Sequence, residues 1–165
     1  MANGNILMKI TGKQQGWIKG EAGYKGHEGW IDIESVGQSA SSSGSFGAGT
    51  GGGHAAVVFH DLQISKMMDR SSVLLLKALD TNEHIPEVII EKRKGTGDKA
   101  LAYLTIKLTN ARITSFNLNG HSGAMGSESL AFNYEKAEFT YSQQDEAGNK
   151  KGGDVVTMVD LVGRH

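Results

Sequence analysis

Residues 129–142 read SLAFNYEKAEFTYS. Leu130, Phe132 and Tyr134 share one parity, and Ala137, Phe139 and Tyr141 share the other. Successive side chains of a strand point to opposite faces, so a straight strand would turn its apolar face outward halfway along. One extra residue near Glu135–Lys136 restores a continuous inner face. That is the mark of a β-bulge, which lets a long strand bend. A long bent strand with one apolar face belongs to a sheet that curls, and this predicts a barrel.

The flanking sequence supplies the rest of the sheet. In LAYLTIKLT (101–109), Ala102, Leu104, Ile106 and Leu108 alternate with Tyr103, Thr105, Lys107 and Thr109. ARITSFNL (111–118), IPEVIIEK (85–92) and DVVTMVDLV (154–162) are further strands, the last a closing one. GNILMKITG alternates at Ile6, Met8 and Ile10 and makes the first strand. Residues 12–29 are polar and glycine-rich and read as a long loop. In GHEGWIDIESVG (26–37), Ile31 and Ile33 fall on one side while Trp30, Asp32, Glu34 and Val36 fall on the other. The two carboxylates are then accounted for by a wet strand face.

HAAVVFHDLQIS carries Val58, His60, Leu62 and Ile64 on one parity. One helix follows. Asp69 is a suitable N-cap, and Leu75, Leu76 and Leu79 recur at helical spacing, with Val73 one turn earlier, so the helix spans 70–80 with those leucines on its core face. The whole reads as a compact, mainly β chain: an antiparallel barrel of about eight strands with one side helix and an extended Gly/Ser-rich loop. No strand–helix alternation argues for an α/β fold.

The chain has 165 residues, which fits one domain over 1–165. Seventeen basic residues face eighteen acidic ones, a net charge of −1. A duplex nucleic-acid binder carries a basic excess, so no nucleic-acid partner is expected. No apolar run approaches the roughly 18 residues of a membrane span, and MANGNILMKITG does not resemble a cleaved secretory signal. There is no cysteine, so disulfides and thiolate metal ligands are absent. The 23 glycines, about twice the usual ~7%, accompany a single proline and fit turns between antiparallel strands.

The tract GQSASSSGSFGAGTGGG (37–53) has only Phe46 as an anchor. Ordering each residue costs about 1–2 kcal/mol, so the tract is expected to be flexible alone or ordered by a partner, and to protrude between two strands. Its GAGTGG (47–52) matches a dinucleotide fingerprint literally, but a serine tract precedes it and a strand follows, where a strand and a helix are required.

Catalytic chemistry finds little support. His27 and Glu28 are neighbours whose side chains diverge on an extended chain, so a loop hydrogen bond or interface contact is the better reading. His27, His54, His60, His84, His121 and His165 show no short metal-ligand spacing. No catalytic residue, metal or cofactor is expected. EKRKGTGDK (91–99) is a small basic patch without an aromatic neighbour in sequence, read as a solvated hairpin end or a charged contact between subunits. Two rivals remain, the first a stand-alone sugar-type binding barrel with Trp17, Tyr24 and Trp30 as a stacking platform. A hydrolase with a dispersed site would need an acid–base pair gathered from distant residues.

The segments GHEGWIDIESVG, HDLQISKMMDRSSVLLLKAL, IPEVIIEKRKGTG, AYLTIKLTNARITSF and ESLAFNYEKAEFTYSQQDEAG occur in this order. Over about residues 4–152 the chain closely resembles the haemolysin-coregulated protein family, the tube-forming proteins of bacterial type VI secretion systems. The resemblance implies a small β-barrel with a side helix, hexameric rings stacked head to tail, and expulsion with a spike by a contractile sheath. It implies self-association, partners among sheath, spike and small effectors sheltered in the lumen, and passage from the bacterial cytoplasm outward without a cleaved signal peptide. By the same resemblance Ser41, Phe46, Gly49 and Thr50 belong to an inter-ring loop. The helix lines the lumen, which points to Arg70, Ser71 and Lys77, with Asp80 a further candidate, as lumen-facing. The match departs at the end: DEAGNKKGGDVVTMVDLVGRH lacks the aromatic closing strand common in the family, and is too short for an appended toxin domain.

Overall fold

The computed structural model describes residues 4–44, 56–95 and 100–162. Among these are eleven strands and one helix, more strands than the eight expected. The strands are β1 (Gly4–Gly12), β2 (Gly16–Ile18), β3 (Ile31–Ile33), β4 (Ser35–Gly37), β5 (Ala40–Ser42), β6 (Val57–Phe59), β7 (Leu62–Met67), β8 (Ile85–Lys94), β9 (Leu101–His121), β10 (Ala124–Tyr141) and β11 (Val155–Asp160). The helix α1 (Ser72–Asp80) lies between β7 and β8.

All the pairings are antiparallel. The main sheet runs β2-β1-β8-β9-β10-β7-β4, with β3 also on β1 and β11 also on β10. β3 and β4 are separated only by Glu34, whose N–H donates to the Ser65 carbonyl at 2.8 Å. The segment Ile31–Gly37 thus pairs with β1 at one end and β7 at the other, and the pairings form a circuit round one core. Changing partner at Glu34 also changes phase. Val36, expected outside with Asp32 and Glu34, packs against the core instead.

Alternation places that core. Met8 and Ile10 of β1, Ile31 and Ile33 of β3, Val88 and Ile90 of β8, Ile106 and Leu108 of β9, and Leu130 and Phe132 of β10 are all buried in it. Burying each such side chain contributes about 1.5–3 kcal/mol.

The expected bulge at Glu135–Lys136 is not there. β9 and β10 stay in one-to-one register from Phe132↔Ile113 to Tyr141↔Leu104. The phase change is real, however, and both strands make it together: burial passes from Leu108 to Ala111 on β9 and from Tyr134 to Ala137 on β10. The device is Asn110, at φ 54°, a left-handed conformation that asparagine tolerates better than most residues. Its Nδ2 donates to Glu135 Oε2 at 2.7 Å, and its Oδ1 lies 2.9 Å from His84 Nε2. The segments 101–109 and 111–118 are therefore one strand bent at Asn110. A register shift does occur earlier, between Ala131 and Phe132, with Thr114 as the extra residue on β9.

Residues 12–29 are more ordered than their composition implies. They hold β2, and Gly20 and Gly29 anchor the following turn through Gly20 N–H to Gly29 O and Gly29 N–H to Ala22 O. The β1–β2 turn is held by the buried Glu83, whose carboxylate accepts from the Gln14 and Gln15 N–H groups at 3.1 and 2.9 Å. A Cβ on Gly12 would sit 1.9 Å from Glu83 Oε2, so a side chain here would push the carboxylate out of these hydrogen bonds.

Candidate assembly surfaces

The acid–base candidates come apart. His27 Nε2 meets Glu91 Oε2 at 2.6 Å, across to β8, and its ring packs on Trp30 at 4.6 Å between centroids. Glu28 is exposed, and hydrogen bonds from its own N–H and that of Gly26 hold its carboxyl below the usual range. Among the described residues no group of three or more His, Asp or Glu is placed to hold a metal ion. The stacking platform is also dismantled: Lys9 and Lys19 lie over the Trp17 ring at 4.8 and 4.9 Å, while Trp30 is engaged with His27. Tyr24 is left exposed alone.

The protruding tract has a built base. β5 and β6 form a separate two-stranded ribbon, Ser41 opposite Val58. Gln38 fixes its root, donating to the His60 carbonyl at 2.7 Å and accepting from the Tyr134 hydroxyl at 2.8 Å. Ser41 is exposed on this ribbon, as are Val57 and Val58. Phe46, Gly49, Thr50 and the GAGTGG run lie outside the described residues.

The helix corrects three assignments. It starts at Ser72, not at residue 70, with Ser71 at the N-cap position. Asp69 works from two residues before the cap: its Oδ1 accepts from the Ser71 N–H at 2.8 Å and the Ser71 hydroxyl at 2.5 Å. Ser71 is consequently buried and is not a lumen-facing contact; Arg70 and Lys77 are exposed, as is Asp80. On the core side, Leu75 and Ala78 are fully buried and Leu74 and Leu79 pack beside them, whereas Leu76 is 47% exposed and faces away. Successive helical residues lie about 100° apart, so Leu75 and Leu76 cannot both face the core squarely.

Two charged residues fasten the helix to the sheet and were not singled out from sequence. Lys66 on β7 is fully buried. Its Nζ reaches Glu128 Oε2 on β10 at 2.5 Å, Asp69 Oδ1 at 3.0 Å, the Met67 carbonyl at 2.9 Å and Ser72 Oγ at 3.3 Å. A buried charge needs such partners. Only a lysine inside an alternating strand could have hinted at it; the partner is 62 residues away. Beside this network a cleft of about 290 Å³ is lined by Glu21, Asp32, Glu34 and Asp69 with Met67 and Met68. Burial, and then the charge of Asp69, push the Asp32 carboxyl up.

One further surface was not marked as a site in the sequence. β11 pairs only with β10, through Lys136↔Asp160 to Tyr141↔Val155, so its outer edge is open among the described residues. Val155 is 66% exposed, Met158 65%, and Val156 and the paired Tyr141 about half. The signal was legible: VVTMV is apolar on both parities, which a half-buried strand does not need. No helix of the described residues is long and apolar enough to cross a membrane.

Residues 7–141 match the family described as "Type VI secretion system effector, Hcp". "Protein hcp1" of Pseudomonas aeruginosa is 32% identical over 96 residues, which span 58% of this chain and 59% of that protein's length. A solved "type six secretion system protein" superposes with a TM-score of 0.83 at 24% identity, covering 96% of both chains. The crystal structure of Hcp1 from Salmonella typhimurium gives 0.75 at 25% identity, covering 98% of this chain and 97% of that one. A type VI secretion system effector from Yersinia pestis gives 0.72 at 24% identity, covering 94% and 99%.

Proposed function

The chain belongs to the Hcp family of the type VI secretion system, and from that premise we propose that its work is structural, as the repeating subunit of the secretion tube. Subunits close into a ring of six, and rings stack head to tail. The tube is built in the bacterial cytoplasm and expelled with the spike by the contractile sheath. Small effectors travel in the lumen, and the exposed Arg70, just before α1, and Lys77 on α1 are the side chains proposed to meet them.

The observation that carries the ring reading is β11, a strand with an open edge and exposed apolar side chains. Such an edge is an aggregation hazard unless something pairs with it or covers it. A head-to-tail contact that closes by rotation covers it on every subunit. The ribbon of β5 and β6 stands apart from the main sheet, which suits the loop it carries to contacts between rings. A sugar-binding role is not favoured, because the protein's own lysines cover Trp17. Native mass spectrometry tests the reading: about six protomers are expected, and a persistent monomer at high concentration would overturn it.

A further inference from the structure

The basic run at the end of β8 acquires in three dimensions the aromatic neighbours it lacks in sequence. β8 and β9 shift register between Lys92 and Arg93: Lys92 pairs with Leu104, Arg93 with Ala102, and Tyr103 is the extra residue. A bulge turns the chain locally and re-aims side chains. Lys92, Arg93 and Lys94, which strict alternation would send to opposite faces, all line one cleft of about 740 Å³. Its walls come from the start of β1, the β3–β4 junction, the end of β8, the start of β9 and the end of β10, so it sits at one end of the barrel. Tyr103 and Tyr141 both line it from the paired strands β9 and β10, and Lys92 Nζ lies 5.6 Å from the Tyr103 ring centroid.

The charges in this cleft are unbalanced. Arg93 is only 5% exposed. Its Nη2 donates to the Ala100 carbonyl at 3.0 Å, while Nη1 is buried without an acceptor among the described residues. A buried donor left unpaired is unfavourable and rare. Glu34 is the one carboxylate among the described lining residues. No carboxylate of the described residues forms an ion pair with Lys92, Arg93 or Lys94. Guanidinium and ammonium groups converging in this way bind oxyanions through short charge-assisted hydrogen bonds.

We infer that the cleft is a binding site for an oxyanion-bearing ligand, with a carboxylate or phosphate group accepting from Arg93 Nη1 between Lys92 and Lys94. The volume admits more than a bare ion. The group could arrive on an acidic polypeptide segment or on a small phosphorylated molecule.

Isothermal titration calorimetry of the full chain at low salt distinguishes these, with inorganic pyrophosphate, citrate and a hexaglutamate peptide as probes. Binding of pyrophosphate alone assigns a phosphate ligand; binding of citrate or hexaglutamate assigns a carboxylate one. Arg93→Gln should weaken whichever probe binds by about tenfold or more. Lys94→Gln, at an exposed position, should weaken it about two- to fivefold with unchanged thermal stability. Lys150→Gln, on an exposed ion pair with Asp154 outside the cleft, should change nothing. If Arg93→Gln fails to fold, a double Lys92→Gln, Lys94→Gln variant carries the test. No binding of any probe, or equal binding by the cleft variants and the parent, would overturn the assignment.

Discussion

Leu75 and Leu76 are adjacent, chemically identical and opposite in burial. Truncating Leu75 to alanine should cost roughly 2–5 kcal/mol, from lost transfer energy and the cavity left behind. Leu76→Ala should stay within about 0.5 kcal/mol. Urea denaturation of the two variants reads the difference, and equal losses would mean that the helix is rotated from the orientation described. The sequence offered a run of three leucines, and leucine content alone does not say which of them faces the core; Ala78, too small to stand out, is what fixes the buried side. Ser71 misled for another reason. It precedes the first helical turn, where Asp69 draws its hydroxyl inward. The ion pair behind it makes a second test. Glu128→Ala removes the fully buried partner of Lys66 and leaves only the Asp69 carboxylate to pair with it, which should cost up to about 3–5 kcal/mol, whereas replacing both Lys66 and Glu128 by apolar residues of similar volume should be near neutral or stabilising. Asp32 provides the pH test. Its folded-state pKa lies above its ordinary value, so the ionised carboxylate destabilises the fold once pH exceeds that raised pKa. The penalty disappears as pH falls below the ordinary aspartate range, where both states are protonated. Asp32→Asn should therefore melt higher than the parent at pH 7 and no higher at pH 3. An advantage that persists unchanged at pH 3 would not come from this charge.

At the scale of elements, period-two alternation located the β1, β3, β9 and β10 cores, because one buried face imposes it on every strand. What alternation could not say is how a strand changes face. The parity switch in SLAFNYEKAEFTYS has two physical solutions, an inserted residue or a residue with reversed backbone rotation. The deciding residue is Asn110, on the neighbouring strand. Partner exchange at Glu34 was hidden likewise, since pairing is invisible in a single strand. Asn110→Val should be markedly destabilising, by about 1–3 kcal/mol for a β-branched side chain held at positive φ, with the loss of the His84 and Glu135 hydrogen bonds in addition. Asn110→Gly removes those bonds but not the conformation, so it should be the milder of the two in thermal melts. The reverse order would show that the side-chain bridge, and not the backbone, turns the strand. The ribbon of β5 and β6 was missed because Ser and Ala carry little strand signal; it is recognisable only through its pairing and the Gln38 contacts at its root.

The whole molecule poses the question of which surfaces meet. A net charge of −1 keeps long-range repulsion between copies small, so short-range complementarity decides the contacts. The interior of the barrel is satisfied: its apolar faces are covered by one another and by α1. β11 is not. Its Val156 and Met158 lie opposite Thr140 and Glu138 on the face away from the buried Val159, and its outer edge, with no paired strand among the described residues, can extend a neighbour's sheet. Lysine on an exposed edge is a recognised obstacle to such pairing, and it leaves the strand's own hydrogen bonds to β10 untouched. A double Val156→Lys, Met158→Lys variant should therefore fold with a melting temperature within a few degrees of the parent, since exposed substitutions alter stability by about 0.5 kcal/mol or less. Light scattering of the same sample should report a monomer, against the roughly six protomers expected of the parent. Loss of both fold and ring would show instead that β11 stabilises its own barrel. An intact ring would move the subunit contact to another exposed surface, such as the Val73–Leu76 side of α1.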